Sequence, residues 1–225
     1  MNVAFAVRNE ETGVMKKLLG LFGDYHHACS VYERPLKKAL EADEVDLHFE
    51  SYPTSFDPHA LADLDVLVLC KEAAVPGSDP FERWMSPQGE EAIGDWVQKG
   101  GRLFGWHSGL ASYDPEGPIH KMYRGHFRGH PPEHTFEVKV TNHEHPYAAG
   151  IEDFTLHSEE LYNFPMNQDS NVWLTGVSPE NGEQPVAWEH AEGEGHVACF
   201  TLAHYRANNL LPVIQTILRR CCLGV

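Results

Sequence analysis

The stretch that most constrains this chain runs from Ser86 to Gly109, SPQGEEAIGDWVQKGGRLFGWHSG. It reads as a helix, a glycine stop, a strand and a sharp turn. Ser86 is placed to cap the helix, Pro87 suits its first turn, and Glu90 and Glu91 favour the positive end of its dipole. Ile93, Trp96 and Val97 recur at helical spacing and predict an inward face. Gly100-Gly101 ends the helix, Arg102 to Trp106 is an apolar run fit for a buried strand, and Gly105 to Gly109 follows as G-x-His-x-G. A glycine at each end lets the backbone tighten and approach a neighbour. His107 is thereby pushed up at the carboxyl end of a strand, where α/β folds keep their chemistry. Hydrolases place serine at the centre of such an elbow and glutamine amidotransferases place cysteine; this chain places histidine.

The rest of the chain supplies a sheet for that elbow. Asn2 to Val7 is nearly all apolar and predicts a central parallel strand leading to Gly23-Asp24-Tyr25-His26-His27. A helix is expected over Ser30 to Leu40, strands over Val45 to Glu50 and Leu64 to Leu69, and a short helix between those strands over Asp57 to Ala62. Strands at Thr135 to Val140, Phe154 to Phe164, Asn171 to Val177, Pro185 to Glu189 and His196 to Leu202 complete the pattern. Asn208 and Asn209 are expected to cap a closing helix lined by Leu210, Ile214, Ile217, Leu218 and Cys221. The succession predicts an α/β fold with a doubly wound, mainly parallel sheet in a single domain spanning 1–225.

Seventeen basic against 33 acidic side chains give a net charge of −16 with no local basic patch, which argues against nucleic acid and anionic membranes as partners. No segment approaches membrane-spanning length and the N-terminal apolar run is too short for a signal peptide, so the cytoplasm is the expected address. Five cysteines, odd in number and without C-x-x-C spacing, predict neither a disulfide framework nor a zinc ribbon. The 15 histidines are scattered through loop-like surroundings. Ala111 to Pro132 is one such stretch, long and rich in glycine, proline and histidine, with His126, Arg128 and His130 close together. His204 falls just after the last strand, and Glu159, Glu160 and Tyr162 fall near the end of an earlier one. Parallel strands bring such ends to one edge, so His107, Glu160 and His204 are expected to converge, with His26 or His27 and His130 on the rim.

The order of GWHSGL at Gly105 to Leu110, GHFRGHPP at Gly125 to Pro132, HP at His145 to Pro146, SEELY at Ser158 to Tyr162 and AHY at Ala203 to Tyr205 resembles the ThuA-like, or trehalose-utilisation, family over nearly the whole chain. The resemblance implies a class I glutamine amidotransferase-like fold, a flavodoxin-like sheet with extra strands, and a role in catabolism of sugars, including trehalose and oxidised keto-sugars. It does not imply amidotransferase activity, which needs an elbow cysteine and a histidine followed two residues on by glutamate. Here those positions hold His107 and Arg206. The positions matching the family's polar signature are His26 or His27, His107, Glu159 or Glu160, and His204.

Histidines and carboxylates gathered in a cleft suit acid and base catalysis or a divalent metal with an open position. His107, His204 and Glu160 are the candidate ligands, and zinc is favoured over other divalent metals by ligand type. As an enzyme, the chain is expected to act on a keto-glycoside or related sugar by hydrolysis or isomerisation, with Glu160 as base and His107 and His204 polarising the carbonyl. Trp106, Arg128, Tyr162, His26, His27, His130 and Glu159 are then substrate-binding candidates. The competing expectation is a non-catalytic sugar- or metal-binding module on the same fold. A small-molecule sugar is the expected partner, and homo-oligomers are compatible.

Overall fold

The computed structural model describes residues 15–77, 82–167 and 170–225. The strand expected over Asn2 to Val7 lies outside them. The strand that leads into Gly23 to His27 is instead β1, Lys16–Phe22. It is followed by α1 (Glu33–Ala39), β2 (Val45–Ser51), β3 (Val66–Cys70), α2 (Pro87–Gln98), β4 (Arg102–Trp106) and α3 (Pro118–Tyr123). Then come β5 (His134–Val140), β6 (Phe154–Glu159), β7 (Asn171–Ser178), β8 (Gly182–Glu192), β9 (Gly195–Phe200), α4 (Arg206–Asn209) and α5 (Pro212–Leu223).

All nine described strands join one sheet in the order β2-β1-β3-β4-β9-β8-β7-β5-β6. The first five are parallel, as a doubly wound chain requires. The remaining pairings are antiparallel, so the expected parallel sheet is extended by an antiparallel half. This topology decides which loops can meet. Counting reversals from β9 through β8, β7 and β5, strand β6 runs in the same direction as β9, and β5 runs oppositely. The carboxyl end of β6 and the amino end of β5 therefore open on the same edge as the carboxyl ends of β1, β4 and β9.

Both faces of β3, β4 and β9 are covered, which is why these strands read as apolar runs rather than alternating ones. Along β3, Val66, Val68 and Cys70 pack with Leu36 of α1 and Ile214, Ile217 and Leu218 of α5. Leu67 and Leu69 pack on the opposite face with Ile93 and Val97 of α2 and Ile119 and Met122 of α3. In α2 the Ser86 hydroxyl accepts from the Gly89 amide at 3.1 Å, the expected cap. Trp96 is only half-buried; its Nε1–H donates to the Leu64 carbonyl at 3.2 Å while Ile93 and Val97 carry the inward face. The closing segment also departs from expectation. Asn208 and Asn209 lie buried in the one-turn helix α4, and α5 begins separately at Pro212 with no side-chain cap. None of the described helices is long and apolar enough to cross a membrane. The cysteines are free, and burial pushes the Cys70 and Cys199 thiols well up, so they persist as thiols.

One feature of α2 sets a pH dependence. Glu90 is buried with its Oε2 lacking a hydrogen-bond partner. Burial, with the Asp114 charge adding and the Arg83 charge opposing, pushes its carboxyl up to about 7 from an ordinary 4.5. The folded protein thus keeps a proton that the unfolded chain releases, and stability falls as pH rises from about 4.5 to about 7. Glu90→Gln removes the ionisable group. The variant is expected to gain on the order of 2 kcal/mol over the parent at pH 8 and little at pH 4.5, in urea unfolding at the two pH values.

Candidate functional site

The elbow forms as its glycines dictate. β4 ends at Trp106, and His107 adopts φ +47°, a left-handed conformation that a non-glycine residue takes only when its surroundings enforce it. A 3-10 turn over His107–Leu110 follows. A Cβ at Gly109 would stand 1.7 Å from the Leu69 carbonyl oxygen, so glycine alone lets the turn lie against β3. His107 is fully buried, and its Nδ1 lies 2.8 Å from the Thr201 carbonyl just beyond β9. A carbonyl can only accept, so Nδ1 carries the proton and Nε2 presents its lone pair to the cleft.

Five further groups meet that lone pair or its neighbours. His204 Nδ1 is 3.0 Å from His107 Nε2, and the Tyr162 hydroxyl is 3.1 Å from the same atom. Glu160 Oε2 stands 3.2 Å from His204 Nδ1, 3.4 Å from His130 Nε2 and 3.6 Å from His107 Nε2. The His130 ring lies along the Tyr162 ring with centroids 5.7 Å apart, partly open to solvent. His27 joins from the end of β1. Its ring centroid is 5.0 Å from those of both His107 and His204, and its Nδ1 donates to Asp24 Oδ1 at 2.6 Å. Nitrogens of His27, His107 and His204 all lie within 4.8 Å of one another.

The remaining candidates fall elsewhere. His26 is exposed, with its backbone amide bonded to Asp24. Trp106 is fully buried and donates to the Leu202 carbonyl, so it has no face to offer a sugar; strand alternation turns it inward as it turns His107 to the edge. Arg128 is exposed and donates through Nε to His126 at 2.9 Å. Glu159 is fully buried and touches protein groups only: its Oε1 accepts the backbone amides of Glu160 and His204, and its Oε2 accepts Asn208 Nδ2 at 2.8 Å. The three groups expected as metal ligands do meet, with Glu160 Oε2, His107 Nε2 and His204 Nδ1 within 3.6 Å of one another, and His27 stands with the same two histidines. Asp24 and Asn208 were not expected in the site, Asn208 being read only as a helix cap. A D-x-x-H spacing marks the first, and no local pattern marks the second.

The sequence matches the ThuA family, described as trehalose utilisation, over residues 20–223. The chain belongs to the ThuA family. Its fold is similar to that of a ThuA-like protein of Parabacteroides merdae, with a TM-score of 0.75 at 16% identity over 93% of this chain and 89% of that one. A cytoplasmic protein of Salmonella typhimurium LT2 is similar at TM-score 0.63 and 13% identity, covering 92% of this chain and 100% of that one. Part of the β-galactosidase of Rahnella sp. R3 is also similar, at TM-score 0.61 and 11% identity over 92% of this chain and 31% of the galactosidase. At these identities the likeness is one of fold. No curated protein matches the chain.

Within this ThuA chain, the electrostatics of the cleft separate its groups. Burial, the charges of His27 and His204, and that of His130 hold His107 well below its usual range, outweighing the hydrogen bond to Thr201. For Glu160 burial acts upward, but the hydrogen bond from His204 and the charges of His204, His130 and His27 prevail and hold it down. For His204 burial acts downward, and the hydrogen bond and charge of Glu160 prevail and raise it. Burial and the Glu160 charge keep Tyr162 a phenol. The pairing thus favours the ionised form of Glu160 and the cationic form of His204, beside a His107 held toward its neutral form.

Glu159 holds this pair in place from below. The residues before Glu159 and His204, Ser158 and Ala203, both have positive φ, +48° and +78°. The buried carboxylate ties these two bends together. Removing it orphans three donors, so Glu159→Ala is expected to cost about 3 to 5 kcal/mol in urea unfolding. Glu159→Gln, which keeps one acceptor oxygen, is expected to cost less than half of that.

Proposed function

We propose that this chain is a carbohydrate-utilising enzyme that removes a proton beside the carbonyl of a keto-sugar, with Glu160 as the base. The observation that carries the reading is the position of Glu160 Oε2, within 3.2 to 3.6 Å of three imidazole nitrogens and only partly shielded from solvent. A carboxylate whose neighbours push it down, facing a histidine pushed up, is the arrangement that assigns base and acid. A ketone acidifies the neighbouring C–H. The positive centre beside Glu160 polarises the carbonyl oxygen, and the C–H proton passes to Glu160.

The resulting enolate has two outcomes. It expels a β-positioned glycosidic oxygen, which takes a proton from the His204 imidazolium as the C–O bond breaks and leaves an enone on the ring, or it is reprotonated at the neighbouring carbon. Neither outcome needs a nucleophilic side chain, in keeping with an elbow that carries neither serine nor cysteine. Membership of a family described as trehalose utilisation supports the sugar class. The test is incubation of the protein in deuterium oxide with keto-disaccharides, read by mass spectrometry. Incorporation of one deuterium next to the ketone, with or without release of free sugar, is the expected result. Tight binding of such sugars without exchange would instead identify a binding module.

A further inference from the structure

We propose that His27, His107 and His204 form the protein ligand set of a single divalent transition-metal site of the zinc type, open on the side that faces Glu160 and Tyr162. The inference concerns the same cleft as the proposed enzyme but does not depend on its chemistry. Three observations carry it. The first is the arrangement of the rings. Their centroids form a nearly equilateral triangle with sides of 5.0, 5.0 and 5.1 Å, and each pair of planes crosses at 70° to 78°. Histidines packed as core groups stack or point their nitrogens at separate acceptors. Here one nitrogen of each ring lies within 4.8 Å of the other two. Tetrahedral nitrogen ligands at about 2.0 to 2.1 Å from zinc stand roughly 3.3 Å apart, and His107 Nε2 and His204 Nδ1 already stand 3.0 Å apart.

The second observation is the support behind the rings. His27 is held by Asp24 Oδ1 at its far nitrogen, and Asp24 is itself fixed by the amides of His26, His27 and Glu72. His107 is held by the Thr201 carbonyl. A carboxylate or carbonyl on the non-ligating nitrogen is the outer shell that orients metal-bound imidazoles. His204 is fixed through its backbone, where its amide donates to Glu159 at 3.0 Å. The three ligands thus come from loops after β1, β4 and β9, each locked by a different element.

The third observation is the composition of the site. Three imidazoles suit zinc and its first-row neighbours rather than magnesium or calcium, which require oxygen ligands. Three protein ligands with a fourth position open is the pattern of a catalytic rather than a structural zinc site. The open side is not empty of chemistry, since Glu160 Oε2 stands 3.2 Å from His204 Nδ1 and the Tyr162 hydroxyl 3.1 Å from His107 Nε2. Two carboxylates, Asp24 and Glu160, balance the charge of a divalent ion. The ion would take the place of the proton that His204 Nδ1 shares with its neighbours.

The test uses the full chain purified without an affinity tag, stripped with a chelator and reloaded with zinc or cobalt. Metal content is read by mass spectrometry, and cobalt geometry by visible absorption. The parent is expected to bind one ion per chain, with the intense d–d bands of a four-coordinate cobalt site. His27→Ala and His204→Ala are each expected to weaken binding a hundredfold or more, and Asp24→Asn tenfold to a hundredfold. His48→Ala, on the exposed strand β2, is expected to bind as the parent does. His204→Gln repeats the test should either alanine variant fail to fold. The proposal is overturned when the stripped parent takes up no more metal than the His27→Ala/His204→Ala double variant, or when neither single variant weakens binding. A metal-loaded protein that exchanges no deuterium into keto-sugars would sink the proton-abstraction reading and leave the metal centre standing; exchange by a protein that binds no metal would do the reverse.

Discussion

Gly109→Ala is expected to cost more than about 4 kcal/mol, enough to leave much of the chain unfolded at 37 °C. The new Cβ would meet the Leu69 carbonyl oxygen at 1.7 Å and its carbon at 2.4 Å. Both are backbone atoms of β3, and β3 cannot yield, because it is paired on one side with β1 and on the other with β4. The turn cannot yield either, because His107 already sits at φ +47° with its ring anchored on Thr201. Gly150→Ala is the contrasting control, since Gly150 has a positive φ, +70°, but nothing within 4 Å of the added atom. It is expected to lose about 1 kcal/mol, the backbone cost alone. Urea unfolding of the two variants beside the parent reads the difference. A Gly109→Ala protein within 1 kcal/mol of the parent would mean that the elbow is not held against β3.

The elbow was legible in the sequence because its constraint is local: two glycines, a strand and a helix stop lie within one stretch. The ends of β4 and β9 were legible for the same reason, and with them His107 and His204. β1 was missed because KKLLGLF opens with two lysines and carries Gly20 in its middle. Adjacent pairs posed a different problem. His26 and His27 are equivalent as letters, and what separates them is the Asp24 carboxylate, which turns His27 inward and leaves His26 in solvent. Glu159 and Glu160 are separated by the end of β6, where Ser158 bends the chain and sends the first carboxylate beneath the cleft and the second into it. The mixed half of the sheet was the least legible. Strand direction there is fixed by pairing across long sequence separations, and no local period reports it.

Glu160→Gln is expected to reduce deuterium exchange into a keto-sugar by a factor of about 10² to 10⁴, the range for loss of a general base, while leaving sugar affinity nearly unchanged. Glutamine keeps the shape and one acceptor oxygen, so contacts to His204 and His130 that merely shape the pocket survive; what it cannot do is hold the abstracted proton. The effect should therefore fall on kcat, with KM changing by less than about threefold. The pH profile of the parent carries a further distinction. Glu160, held below the ordinary carboxylate range, is ionised at every pH above that depressed value, so the acid limb lies low. Where a proton on His204 supplies the positive charge, activity falls as pH rises through the raised value of that histidine. Where a metal ion replaces that proton, the positive charge persists and no such alkaline limb is found. A profile of the chelator-treated protein, set beside that of the same protein reloaded with zinc, distinguishes the two. A Glu160→Gln variant that exchanges deuterium at the parent rate would remove this carboxylate from the chemistry and return the role of base to one of the imidazoles around it.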